Sequence, residues 1–135
     1  MWLCTKTGFF SVVIDRQRPG RMLVRARCRQ DIENLYEMAK DLASIEKPTS
    51  DESRDYRYRM SVDREDWLRL ACRSAQRVDY DNFKSAVAKE PSQQNKLEAY
   101  HEVWAALPKC SYRNARNRNQ PSAKRGGGND VSGNR

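Results

Sequence analysis

The stretch Arg21-Met-Leu-Val-Arg-Ala-Arg-Cys-Arg29 decides the fold. Arg25, Arg27 and Arg29 fall at every second position, with small or apolar residues between them. Successive side chains of a β-strand point to opposite faces. The spacing therefore puts the arginines on one face and Met22, Val24, Ala26 and Cys28 on the other. Residues 56–62, YRYRMSV, repeat the pattern. Tyr56, Tyr58, Met60 and Val62 point one way; Arg57, Arg59 and Ser61 point the other. Two such strands predict a sheet that packs helices on its apolar face and shows arginines on the opposite one.

Working outward, residues 2–14, WLCTKTGFFSVVI, are rich in aromatic and β-branched types and read as one strand, bent or bulged at Gly8. Asp15 to Gly20 is a turn punctuated by Pro19-Gly20, which joins this strand to 21–29 as a hairpin. Residues 31–43 switch to helical period, with Ile32, Leu35, Tyr36, Ala39, Leu42 and Ala43 on one face. Asp31, Glu33 and Glu37 lie near the helix start, where the dipole favours anions. A polar loop broken by Pro48 fills 44–55. Asp63 reads as an N-cap with Asp66 as its capping-box partner. The helix it opens runs to about 77, with Trp67, Leu70, Ala71, Ala75 and Val78 as the buried stripe. DYDNFKSAVA is a short helix capped by Asp79 or Asp81 and ended by Pro91. Ser92 opens the last helix, in which Leu97, Tyr100, Trp104 and Leu107 recur at helical spacing and which Pro108 closes. The expected fold is α+β over 1–108. It has a three-stranded antiparallel sheet of order 2-1-3, the element order β-β-α-β-α-α and helices on one face.

Charge is distributed unevenly along the 135 residues, which carry a formal +8 in total. Residues 1–29 hold seven basic side chains and one acidic; residues 30–108 hold twelve and sixteen; residues 109–135 hold seven and one. Positive charge at both ends points to a polyanionic partner such as nucleic acid. The segment 109–135, rich in Asn, Arg, Ser and Gly, buries too little apolar surface to offset chain entropy. It is expected to be a disordered basic tail.

Other chemistry finds little support. The four cysteines form no C-x-x-C pair and there is one histidine, His101, so neither a zinc site nor any cofactor is expected. Cys4, Cys28 and Cys72 sit among apolar neighbours and read as small hydrophobes. The first residues do not resemble a signal peptide, and no apolar run is long enough to span a membrane. A reduced, cytoplasmic, non-enzymatic protein is the simplest expectation. Asp79 and Asp81 resemble the opening of a calcium loop, but Lys84 stands where that loop needs glycine, so capping is the better reading.

The blocks MWLCTKTGFFS, VRAR, DYRYR, DYDNFK and YHEVW occur together here. In this combination the chain resembles a family of small bacterial proteins without an assigned activity, over about residues 1–107. The resemblance implies a self-contained folded domain and carries no catalytic role onto any residue.

The arginine face is the candidate site. Arg25, Arg27, Arg29, Arg57 and Arg59 would share it, joined by Arg113, Arg116 and Arg118 of the tail. Arginine suits phosphate because its planar fork holds two oxygens at once. Trp2, Phe9 or Phe10 would supply a surface for base stacking, according to the bend at Gly8. Two partners fit: RNA or DNA, and an acidic protein gripped by the same arginines. Pairing of the arginines with acids from 30–55 or from the last helix would remove the case for either.

Overall fold

A computed structural model describes the backbone of residues 1–118 and the side chains of residues 1–110. Met1–His101 form one compact unit, and a second begins at Glu102. The first holds five strands: β1 (Trp2–Thr5), β2 (Gly8–Ile14), β3 (Arg21–Ala26), β4 (Thr49–Ser50) and β5 (Tyr58–Asp63). Its helices are α1 (Arg29–Ala39), α2 (Arg64–Gln76) and α3 (Phe83–Ala88), and α4 (Leu97–Arg118) starts within it. The strands make one antiparallel sheet of order β1-β2-β3-β5-β4.

The α+β class is as expected, but the sheet has five strands instead of three, and its order differs. Residues 2–14 are two strands that double back on each other at Lys6-Thr7. The Thr5 hydroxyl supports this turn, accepting from the Thr7 N–H at 3.3 Å and donating to the Gly8 carbonyl at 3.2 Å. β1 thereby occupies the edge that the third strand was expected to take. The third strand, β5, adds to the free edge of β3 instead, and β4 extends the sheet beyond it. Gly8 marks a close approach: a Cβ there would stand 2.4 Å from Cζ of the Phe10 ring. Gly20 closes the β2–β3 turn with a φ of 84°, a left-handed conformation that glycine adopts without strain.

Alternation predicts the core side of β3 and β5 correctly, and the side taken by Phe10 and Val12 of β2, which the sequence left open, is the same one. Phe10, Val12, Val24, Ala26, Met60 and Val62 are buried, with Met22 and Tyr58 packed beside them. α1 and α2 cover this face with Ile32, Leu35, Ala39, Trp67 and Leu70. Val78 is exposed because α2 has already ended at Gln76. Cys4 and Cys72 are also exposed, so neither is the buried small hydrophobe that its neighbours suggest.

The helix starts depart from the expected capping. Asp63 makes no cap hydrogen bond, because its carboxylate accepts from Arg21 at 2.7 Å. Asp66 accepts from the backbone N–H and the hydroxyl of Ser44, at 3.0 and 2.7 Å, and so ties the end of the α1 loop to α2. Asn82 caps α3 in place of an aspartate, accepting from the Ser85 N–H at 3.0 Å. Asp79 pairs with Lys6 instead. Asp31 is buried beneath the β1–β2 hairpin, where it accepts from the Phe9 N–H, Gln93 Nε2 and Lys96 Nζ.

α4 continues through Pro108 to Arg118, so this proline does not close the helix; it removes one backbone donor from it. Trp104 is 63% exposed and is not the core residue that its place in the stripe suggests. Residues 119–135 of the expected tail lie outside the described residues. No helix among the described residues is long and apolar enough to cross a membrane.

Two measurements check this packing. Trp67→Ala should lower unfolding stability by about 3–5 kcal/mol in urea titration, a large share of a small domain's total; an unchanged midpoint would contradict the packing of α2. The Ser44 hydroxyl and N–H hold the Asp66 carboxyl below its ordinary pKa. A carboxyl depressed in the folded state stabilises the fold above the unfolded value, near pH 4, and loses that contribution as pH falls further. Asp66→Asn should therefore flatten the acid limb of stability against pH.

Candidate nucleic-acid interface

The sheet's outer face carries one cross-strand row that decides its chemistry. Trp2 pairs with Ser11, Ser11 with Arg25, Arg25 with Arg59 and Arg59 with Thr49. Residues directly paired across antiparallel strands share a face, so these five side chains run across the sheet on the side away from α1 and α2.

At the centre of the row two arginines stand directly opposite each other. Arg25 donates through Nη2 to the Ser11 hydroxyl at 2.7 Å, and Arg59 donates through Nε to the Tyr56 carbonyl at 3.1 Å. The Arg25 guanidinium also lies over the Tyr56 ring, 4.9 Å from its centroid. These partners are neutral. Among the described residues no ion pair joins Arg25 or Arg59 to a carboxylate, and the buried Arg25 Nε has no hydrogen-bond partner at all. Like charges placed directly opposite each other destabilise a sheet.

The other expected arginines are spent differently. Arg27 makes a two-pronged pair with Asp55, at 3.0 and 2.7 Å, and stacks on Tyr56 at 4.5 Å. The Arg27 guanidinium holds the Asp55 carboxyl below its ordinary range, and Arg25 adds to this at longer reach. Arg29 is not a strand residue: it opens α1, 4.0 Å from Glu33, with its guanidinium over the Tyr58 ring. Arg57 is exposed just ahead of β5. The side chains of Arg113, Arg116 and Arg118 lie outside the described residues. Internal pairing thus neutralises Arg27 and reaches Arg29, but leaves the central pair.

Tyr56 was expected in the core and sits on the arginine face, because it precedes β5 and escapes the strand's alternation. Alternation along β2 separates the aromatics, with no bend at Gly8. Phe10 enters the core, while Phe9 stays on the outer face, where it meets Trp2 edge to face at 5.6 Å.

A groove of about 720 Å³ lies along this face. Val13 and Leu23 give it apolar lining, and Arg25 and Arg59 cross it. The segments 15–18 and 46–54 bring Arg16, Arg18, Lys47 and Arg54 to it, so six cations line it with two carboxylates, Asp15 and Glu46, while Arg54 pairs with Asp51 beside it. Both of the lining carboxylates are already bonded to Arg18. Alternation within strands carries no sign of these four loop cations, since it cannot say which loops border the face. Arg21, by contrast, is a structural arginine. It donates to Ser61, Asp63 and the Ser44 carbonyl, each within 2.8 Å.

Among the described residues no cluster of three or more His, Cys, Asp or Glu is placed to hold a metal. No protein-family model, curated protein or solved structure matches the chain.

The two kinds of arginine should separate in stability measurements. Arg59→Gln should leave the urea midpoint unchanged or raise it, since it relieves the like-charge pair. Arg21→Gln should lower stability by roughly 1 kcal/mol, since it strands Asp63 and the Ser44 carbonyl. Equal losses for both would mean that Arg59 is held for structural reasons.

Proposed function

We propose that the protein binds nucleic acid through the outer face of its sheet, without catalysing a reaction. The observation that carries this reading is the Arg25–Arg59 pair. The two arginines are paired across β3 and β5 on the half-buried outer face, facing a groove whose nearby carboxylates are already bonded. Such a pair is a liability to the fold unless an anion joins it. A phosphate between the two forks would receive charge-assisted hydrogen bonds from both and would remove the repulsion. Arg16, Lys47 and the exposed Arg57 extend the positive field along a chain of phosphates. The segment 109–135, with seven basic side chains to one acidic, adds charge of the same sign.

Affinity resting on phosphate contacts must fall with salt. The slope of log K against log salt is about −0.9 per phosphate neutralised on duplex DNA and about −0.7 on single strands. Replacing Arg25 and Arg59 together by glutamine in the full chain should weaken binding and make that slope shallower by about one to two units. Fluorescence anisotropy with labelled DNA and RNA over a salt series provides the check. An unchanged slope would remove the sheet face from the interface. Binding to polyglutamate but to neither nucleic acid would favour an acidic protein partner.

A further inference from the structure

The same face carries an aromatic surface that phosphate contact does not use. Trp2 is 69% exposed, yet its ring is braced edge to face by Phe9. It begins the cross-strand row that leads to the two central arginines, with Ser11 between. Strands in a sheet lie about 4.8 Å apart, which puts the Trp2 backbone about 10 Å from that of Arg25. A few nucleotides would span that distance.

Resting on the reading above, we infer that the ligand is a single-stranded nucleic acid, with one base stacked on Trp2 while backbone phosphates lie on Arg25 and Arg59. A duplex hides its base faces within its own stack and would offer Trp2 nothing. An unpaired base presents its face freely, and every base has one, so stacking requires no particular sequence. The brace from Phe9 holds the indole in place before the base arrives, so less side-chain freedom is lost on binding. Val13 and Leu23 in the groove give the sugar and base edges apolar surface. The edge position of β1 leaves a strand free to run off the sheet beyond Trp2.

The test compares labelled oligothymidylate, oligouridylate and a thymidylate–adenylate duplex on the full chain. The single strands should bind more tightly than the duplex. Trp2→Leu keeps apolar bulk on the edge strand and removes the π face; it should weaken single-strand binding by about 5-fold or more. Its salt slope should stay that of the unaltered chain, because stacking releases no counterions. Trp2→Phe restores a ring and should recover most of the affinity. Equal binding of duplex and single strand, with no effect of Trp2→Leu, would overturn this inference while leaving phosphate binding by the arginines intact. No binding of any of the three would overturn both.

Discussion

Antiparallel pairing of β3 with β5 sets Val24 against Met60 and, one residue along, Arg25 against Arg59. The two contacts are inseparable. Side chains alternate with a period of two, so a register that buries Val24, Met60 and Val62 under α1 and α2 must place the arginines on the far side. A slip by one residue would bring two guanidiniums into an apolar core. The hydrophobic effect thereby holds together two charges that repel each other. Packing explains why these positions face outward; it does not explain why both carry charge.

The arginines around that pair show how the chain treats a cation with a structural task. Arg21 is enclosed by Ser61, Asp63, Glu46 and the Ser44 carbonyl. Arg27 has Asp55, and Arg18 has Asp15 and Glu46. Each is matched by acids supplied from neighbouring loops. Among the described residues Arg25 and Arg59 form no ion pair: they have a hydroxyl, a carbonyl and the face of a tyrosine ring, with Asp55 at longer reach of Arg25. The hydroxyl, carbonyl and ring position a guanidinium without neutralising it, which is the arrangement a phosphate would complete.

Much of this was legible in the sequence, because it follows from short-range periodicity. The apolar and arginine faces of β3 and β5 come directly from alternation, and α1 and α2 from helical spacing. What was not legible is long-range. Nothing local told that Lys6-Thr7 would turn the chain, so one strand became two and the sheet order changed. Asp31 read as an acid that the helix dipole favours, and nothing local told that it is buried among partners 62 and 65 residues away in Gln93 and Lys96. Tyr56 and Arg29 read as strand residues because their spacing fits, yet both lie just beyond strand ends, where alternation lapses. The acids that pair with Arg27 and Arg18 come from loops, whose placement depends on the whole fold. The question that mattered most, which arginines are neutralised, was therefore the one that required the structure.

The central claim is that the outer face, and within it the Arg25–Arg59 pair, is where a polyanion binds. The most direct measurement follows the arginine Nε–Hε and backbone amide NMR signals while oligouridylate is added to the full chain. The account predicts that the Nε–Hε signals of Arg25 and Arg59 shift first, together with amides of β2, β3 and β5, while Arg21 and the core of α1 stay still. Shifts confined to residues beyond Pro108, or to the helical side of the domain, with Arg25 and Arg59 unmoved, would contradict it.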